Sequence, residues 1–173
     1  MKKSTKQLCR AGVISALYAV LTYAFAPVAF GPIQIRPAEA LCILPLFFVE
    51  AVPALYVGCL LANLSSPFLL YDLTLGAGAT LLGGIGTYLI GRYAKKGFTK
   101  LLLGGLSPVF FNTVIIPFVI VVLCGDTSAG ATVTSAYFAV ALSIFLTETV
   151  CVYGFGAPLY RFFEKKLPKN IEK

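Results

Sequence analysis

A handful of side chains in an otherwise apolar chain have the chemistry to hold a polar ligand: Gln34, Arg36, Glu39, Asn63, Asp72, Asn112 and Glu148. A carboxylate can accept two adjacent N–H donors in bidentate fashion or balance a cation. An amide can both donate and accept, and a guanidinium can hold carboxylates in place. The chain has no histidine, which removes the commonest general base and metal ligand, all Ser–His chemistry and every HExxH reading. Catalysis would fall to a carboxylate pair such as Glu39 and Asp72, and no residue stands out as nucleophile or metal ligand, so the chain reads as a non-enzyme. Cys9, Cys42, Cys59, Cys124 and Cys151 are scattered without a CxxC, mostly inside apolar runs, where they read as packing.

These residues must be positioned by a membrane fold. The chain is 58% hydrophobic and 12% charged, whereas a soluble domain is about one quarter charged. Its mean hydropathy is +0.88. The expected architecture is all-α: one integral membrane domain over residues 1–173, with spans about 8–29, 37–49, 52–66, 72–92, 101–123 and 134–162. The stretch from Pro37 to Leu64 is too long for one span, and Pro45, Glu50 and Pro53 interrupt it. If it crossed once, the cluster Arg92, Lys95, Lys96 and Lys100 would face away from the basic N-terminus. A short hairpin of helices two and three, turning near Glu50, puts both clusters in the cytoplasm together with Arg161, Lys165, Lys166, Lys169 and Lys173. Both termini are then cytoplasmic, and Arg36 is the one Lys or Arg outside. Small residues set helix packing: Ala79, Gly83, Thr87 and Gly91 in helix four, and Gly12/Ala16 with Ala11/Ser15/Ala19 in helix one. The run GAGATLLGGIG lacks the GxGxxG spacing of a nucleotide fingerprint.

On this topology Gln34 and Arg36 follow helix one on the outer side, Glu39 is one turn into helix two, and Asn63 and Asp72 end helix three and open helix four. Asn112 and Glu148 lie mid-way along helices five and six, able to join one cavity open to the outside. Glu39, at the third position of a helix that starts at Pro37, equally suits a helix cap or a pair with Arg36, and Asp72 suits a cap as well. Glu148 fits neither, because about 20 Å of helix separates it from the outer end. Asp126, in an outer loop, reads as solvated. Tyr23, Phe25, Phe30, Phe68, Tyr71, Phe110, Phe111, Tyr137 and Phe138 gather in the outer half, where some could stack on a flat ligand.

A six-helix membrane protein with cytoplasmic termini and a small-xxx-small first helix resembles the substrate-binding S components of energy-coupling factor (ECF) vitamin transporters. The stretches FGPIQIRPAEALCILP, GCLLANLSSP, YDLTLGAGATLL and LTETVCVYGFGAPL are similar to the QueT family, linked to uptake of queuosine precursors. The resemblance implies a bacterial plasma-membrane, multi-pass subunit that captures a 7-deazaguanine such as preQ1, or queuine, outside and delivers it by toppling. It implies no cofactor in this chain, and partners in the form of a transmembrane coupling protein and two ATPase subunits that use ATP. Nucleic acid is not a partner. Gln34, Arg36, Glu39, Asn63, Tyr71, Asp72, Asn112 and Glu148 would contact substrate, and a lid would run from about Pro27 to Arg36. The first-helix residues Ala11, Gly12, Ser15, Ala16 and Ala19 would dock the coupling protein. The alternatives are an S component for another vitamin or nucleobase-like nutrient, or a stand-alone proton-coupled transporter.

Overall fold

The computed structural model describes residues 3–29, 34–66, 68–94 and 97–166. All regular structure among them is helical. We label six helices: α1 (Lys3–Ala24), α2 (Pro37–Leu46), α3 (Ala51–Asn63), α4 (Leu69–Tyr93), α5 (Phe98–Leu123) and α6 (Val133–Lys166). A single further turn, Ala26–Ala29, follows α1. The helices α4, α5 and α6 are long and apolar enough to cross a membrane, while α2 and α3 are shorter apolar helices. α1 is 22 residues long, but Lys3, Lys6 and Arg10 occupy its first third. Phe30, the middle of the expected lid, and Lys2, Lys95, Lys96, Lys169 and Lys173 lie outside the described residues.

The chain between Pro37 and Asn63 is a hairpin of two short helices. α2 is wound as a 3₁₀-helix over all ten residues, an unusual length for a form with poorer hydrogen-bond geometry. Pro37 starts it, as its fixed φ allows. Every residue from Ala38 to Leu46 is buried, because α1, α3, α4, α5 and α6 all pack around it. A helix that is apolar on all sides needs such a jacket.

Missing side chains let the jacket close. A Cβ on Gly91 would stand 2.9 Å from the Leu46 Cα, and one on Gly83 would stand 2.9 Å from the Pro108 Cα. Thr87 Oγ1 donates to the Gly104 carbonyl at 2.8 Å, so the small-residue stripe of α4 is the seam with α2 and α5. On α1, Ser15 Oγ donates to the Ala54 carbonyl at 2.7 Å, and Gly58 leaves room for Tyr18 Cβ and the Ser15 carbonyl. Ser15 and Ala19 therefore face inward, whereas Gly12 and Ala16 are exposed.

The three long helices each contain a wide π-turn: Asp72–Gly76, Phe118–Leu123 and Val150–Phe155. Such turns bulge a helix and often mark functional sites. α6 starts at a capping box in which Thr132 Oγ1 accepts from the Ser135 N–H at 3.2 Å.

One end of the bundle is tied by charge and aromatic rings. Arg10 Nη1 lies 2.7 Å from Glu50 Oε1, with its guanidinium 4.1 Å from the Phe48 ring centre. Lys100 Nζ sits 5.6 Å from the Phe47 ring centre. The Tyr160 hydroxyl donates to Glu164 at 2.9 Å and lies 3.2 Å from the Gly97 carbonyl. The start of α1, the α2–α3 turn, the α4–α5 turn and the end of α6 thus meet at one end, which gathers Arg10 and Lys100. The sequence reading gave Glu50 a topological role only; it is also the ion-pair partner of Arg10.

Candidate functional site

The opposite half of the molecule buries its charge. Arg36, Glu39, Asn63, Asp72, Asn112 and Glu148 are all buried, and Gln34 and Tyr71 are half-buried. Four elements bring the charged members together. Arg36 lies within electrostatic reach of Asp72 and Glu39, and Glu148 lies within reach of Glu39 and Arg36. The segment before α2, α2 itself, α4 and α6 therefore converge on one cluster.

The three carboxylates have different partners. Glu39 Oε1 accepts from the Tyr18 hydroxyl, and its Oε2 accepts from the Cys42 thiol at 3.0 Å. Cys42 reaches it because side chains three residues apart eclipse on a 3₁₀-helix. The N-terminus of α2 has no side-chain cap, so Glu39 points into the cluster rather than over the helix end. Asp72 does not open α4, which begins at Leu69; it sits one turn in, at the start of the π-turn. Ser66 Oγ donates to Asp72 Oδ2, and Asn63 Nδ2 donates to its main-chain carbonyl at 2.8 Å. A Cβ on Gly76 would crowd this pair, 3.3 Å from Asp72 Oδ1 and 3.4 Å from Asn63 Nδ2.

Glu148 is served least. Asn112 Nδ2 donates to its Oε1 at 3.0 Å, joining α5 to α6. Its Oε2 is buried and without a hydrogen-bond partner. Burying an unsatisfied carboxylate oxygen is expensive, and a buried group left in that state calls for an explanation. Among the described residues the only other such atom is Thr113 Oγ1, next to Asn112.

Several members were illegible from residue type alone: Tyr18 on α1, Cys42 on α2, Ser66 after α3, and Cys59 with Thr80. Thr80 Oγ1 donates to Cys59 Sγ at 3.3 Å, and Asn63 Nδ2 approaches the same sulfur at 3.4 Å. Tyr18 shares the inward face of α1 with Ser15, one turn away, which is the signal that could have found it. Among the described residues, the aromatic residues named from sequence are exposed or half-buried rather than buried with the cluster. Phe110 and Phe138 are exposed by 58% and 66%, and Phe68, Tyr71, Phe111 and Tyr137 are half-buried. Tyr23 and Phe25 are exposed. In the α5–α6 loop, the Ser128 hydroxyl and N–H hold the Asp126 carboxyl below the usual carboxylate range.

The family model for the QueT transporter matches residues 8–165. The chain belongs to the QueT transporter family. It is therefore a membrane protein of a transporter family and not an enzyme. It is 31% identical over 115 residues to the queuosine precursor transporter QueT of Lactococcus lactis subsp. cremoris (strain MG1363). That alignment covers 64% of this chain, and the chain spans 66% of the relative's length. No solved structure matches the chain. Membership gives the buried cluster a context in which a polar chamber within apolar helices is expected.

Proposed function

We propose that this chain is the substrate-binding membrane subunit of an ECF importer, and that its substrate is a queuosine precursor. The relative's name points to that substrate class. The single observation that carries the site is the buried, unpartnered Oε2 of Glu148, held by Asn112 beside Arg36 and Glu39. A 7-deazaguanine presents adjacent N–H donors on its pairing edge, which suit a carboxylate with a free acceptor. Glu39 and Asp72 are already engaged by Tyr18, Cys42 and Ser66, so Glu148 reads the ring. Glu39, Asp72 and Glu148 outnumber Arg36, which favours a cationic aminomethyl precursor such as preQ1. Asp72, at the start of the α4 π-turn, takes the amine. Gln34, Asn63 and Asn112 orient the ligand, with Tyr71 at the rim, and Arg36 closes over it.

The topology follows. All six helices cross the bacterial plasma membrane, with the Glu50 end and both termini in the cytoplasm; the gathering of Arg10 and Lys100 at that end supports this orientation. On α1 the exposed Gly12 and Ala16 form the docking face for the coupling protein, flanked by half-buried Ala11, while Ser15 and Ala19 fasten α1 to the bundle. Two ATPase subunits supply ATP hydrolysis, and the binding subunit topples to deliver its load. Uptake of labelled preQ1 into proteoliposomes tests the reading. Transport that needs both the coupling module and ATP supports it; ATP-independent uptake by this chain alone would sink it.

A further inference from the structure

Three of the five cysteines meet at the carboxylate cluster, each from a different helix. Cys42 on α2 donates to Glu39 Oε2 at 3.0 Å. Cys59 on α3 accepts from Thr80 at 3.3 Å and lies against Tyr18. Cys151 on α6, one turn beyond Glu148, lies against the Arg36 main chain and within electrostatic reach of Glu148 and Glu39. All three are buried, whereas Cys9 is exposed and Cys124 half-buried. Cys42 and Cys59 pack in the apolar core with Leu41, Leu44 and Leu55, and their sulfurs face polar partners within it.

Two other roles are weaker. No group of three Cys, Asp or Glu among the described residues is arranged to hold a metal ion. The outer-half aromatics that could have sandwiched a ring are turned outward or half-buried, with Phe30 outside the described residues. Among the described residues, the soft, polarisable groups at the cluster are Tyr18 and these sulfurs. Sulfur makes favourable contacts with aromatic rings, often at the ring edge.

We propose that Cys42, Cys59 and Cys151 form a thiol wall against which the flat ring of the ligand rests, an inference that rests on the functional reading above. The wall gives the chamber a soft surface without adding charge, leaving edge recognition to Glu148.

Methyl methanethiosulfonate provides the test. A thiolate attacks the methylthio sulfur, a new S–S bond forms, and methanesulfinate leaves with the electron pair while the thiol proton passes to water. Labelling of each cysteine in the full chain in lipid nanodiscs is followed by peptide mass spectrometry, with and without saturating 7-aminomethyl-7-deazaguanine. The wall predicts that ligand slows labelling of Cys42, Cys59 and Cys151 by about tenfold or more and leaves Cys9 unchanged. Cys59→Met and Cys151→Met, which add volume at the sulfurs, should weaken binding by about tenfold, measured on protein whose circular dichroism matches the parent's helix content. Equal labelling rates with and without ligand would overturn the wall. If the three thiols do not label at all, parent-like affinity of both Met variants overturns it. Glu148→Gln is titrated in parallel: if it binds like the parent, the functional reading itself is at fault. If it fails to bind while thiol labelling ignores ligand, only the wall is wrong.

Discussion

The two ends of the bundle treat charge in opposite ways. At the Glu50 end, Arg10 and Glu50 pair with side chains 38% and 12% exposed, and Phe47, Phe48, Tyr160 and Phe163 stack around them. Charge there is paired or, as with the buried Lys100, set near an aromatic ring, and it records orientation. At the Asp72 end, three carboxylates and one arginine are buried among neutral donors, and one carboxylate oxygen has no donor. A pair at the first end can be lost cheaply. A charge at the second end is costly to keep, which makes it a candidate for function rather than stability.

The comparison can be broken in graded steps. The largest effect on folding belongs to the seams that hold α2. Gly91→Ala places a Cβ against the Leu46 backbone and should cost about 1–3 kcal/mol, read as a lowered melting temperature in detergent. Tyr18→Phe strands Glu39 Oε1; a loss of about 1–3 kcal/mol is expected from the unsatisfied buried acceptor, checked by the same melt. Parent-like stability of Tyr18→Phe would mean that Glu39 is not held as described. Asn112→Ala removes the amide that fixes Glu148 and should weaken ligand binding about tenfold, about 1.4 kcal/mol, in an equilibrium titration. Arg10→Gln is the smallest, about 0–1 kcal/mol in stability and no change in ligand affinity. A large binding defect in Arg10→Gln would erase the distinction between the two ends.

Much of this was readable before any coordinates. Apolar run lengths and the charge asymmetry gave the hairpin at Pro37–Asn63, and Glu148 stood out because no helix end was near enough to explain it, while Asn112 was as readily an interhelical hydrogen-bond partner. The small-residue stripe of α4 reports its packing because a missing Cβ is written in the sequence. The 3₁₀ winding of α2 was not legible, since it is imposed by helices on every side rather than by local propensity, and with it went the stacking of Cys42 on Glu39. Glu39 and Asp72 looked like caps because a carboxylate near a helix start has two good uses; only the partners Tyr18, Cys42 and Ser66 show which is taken. Gly12/Ala16 and Ser15/Ala19 are equivalent as patterns and separate only once α3 covers one face.

The central claim is that the free oxygen of Glu148 is where ligand binds. It is tested most directly by titrating 7-aminomethyl-7-deazaguanine against the parent chain and Glu148→Gln in lipid nanodiscs, with Glu50→Gln as the matched carboxylate from the other end. The account predicts that Glu148→Gln loses about 100-fold or more in affinity while Glu50→Gln binds as the parent does. Parent-like binding by Glu148→Gln would contradict it.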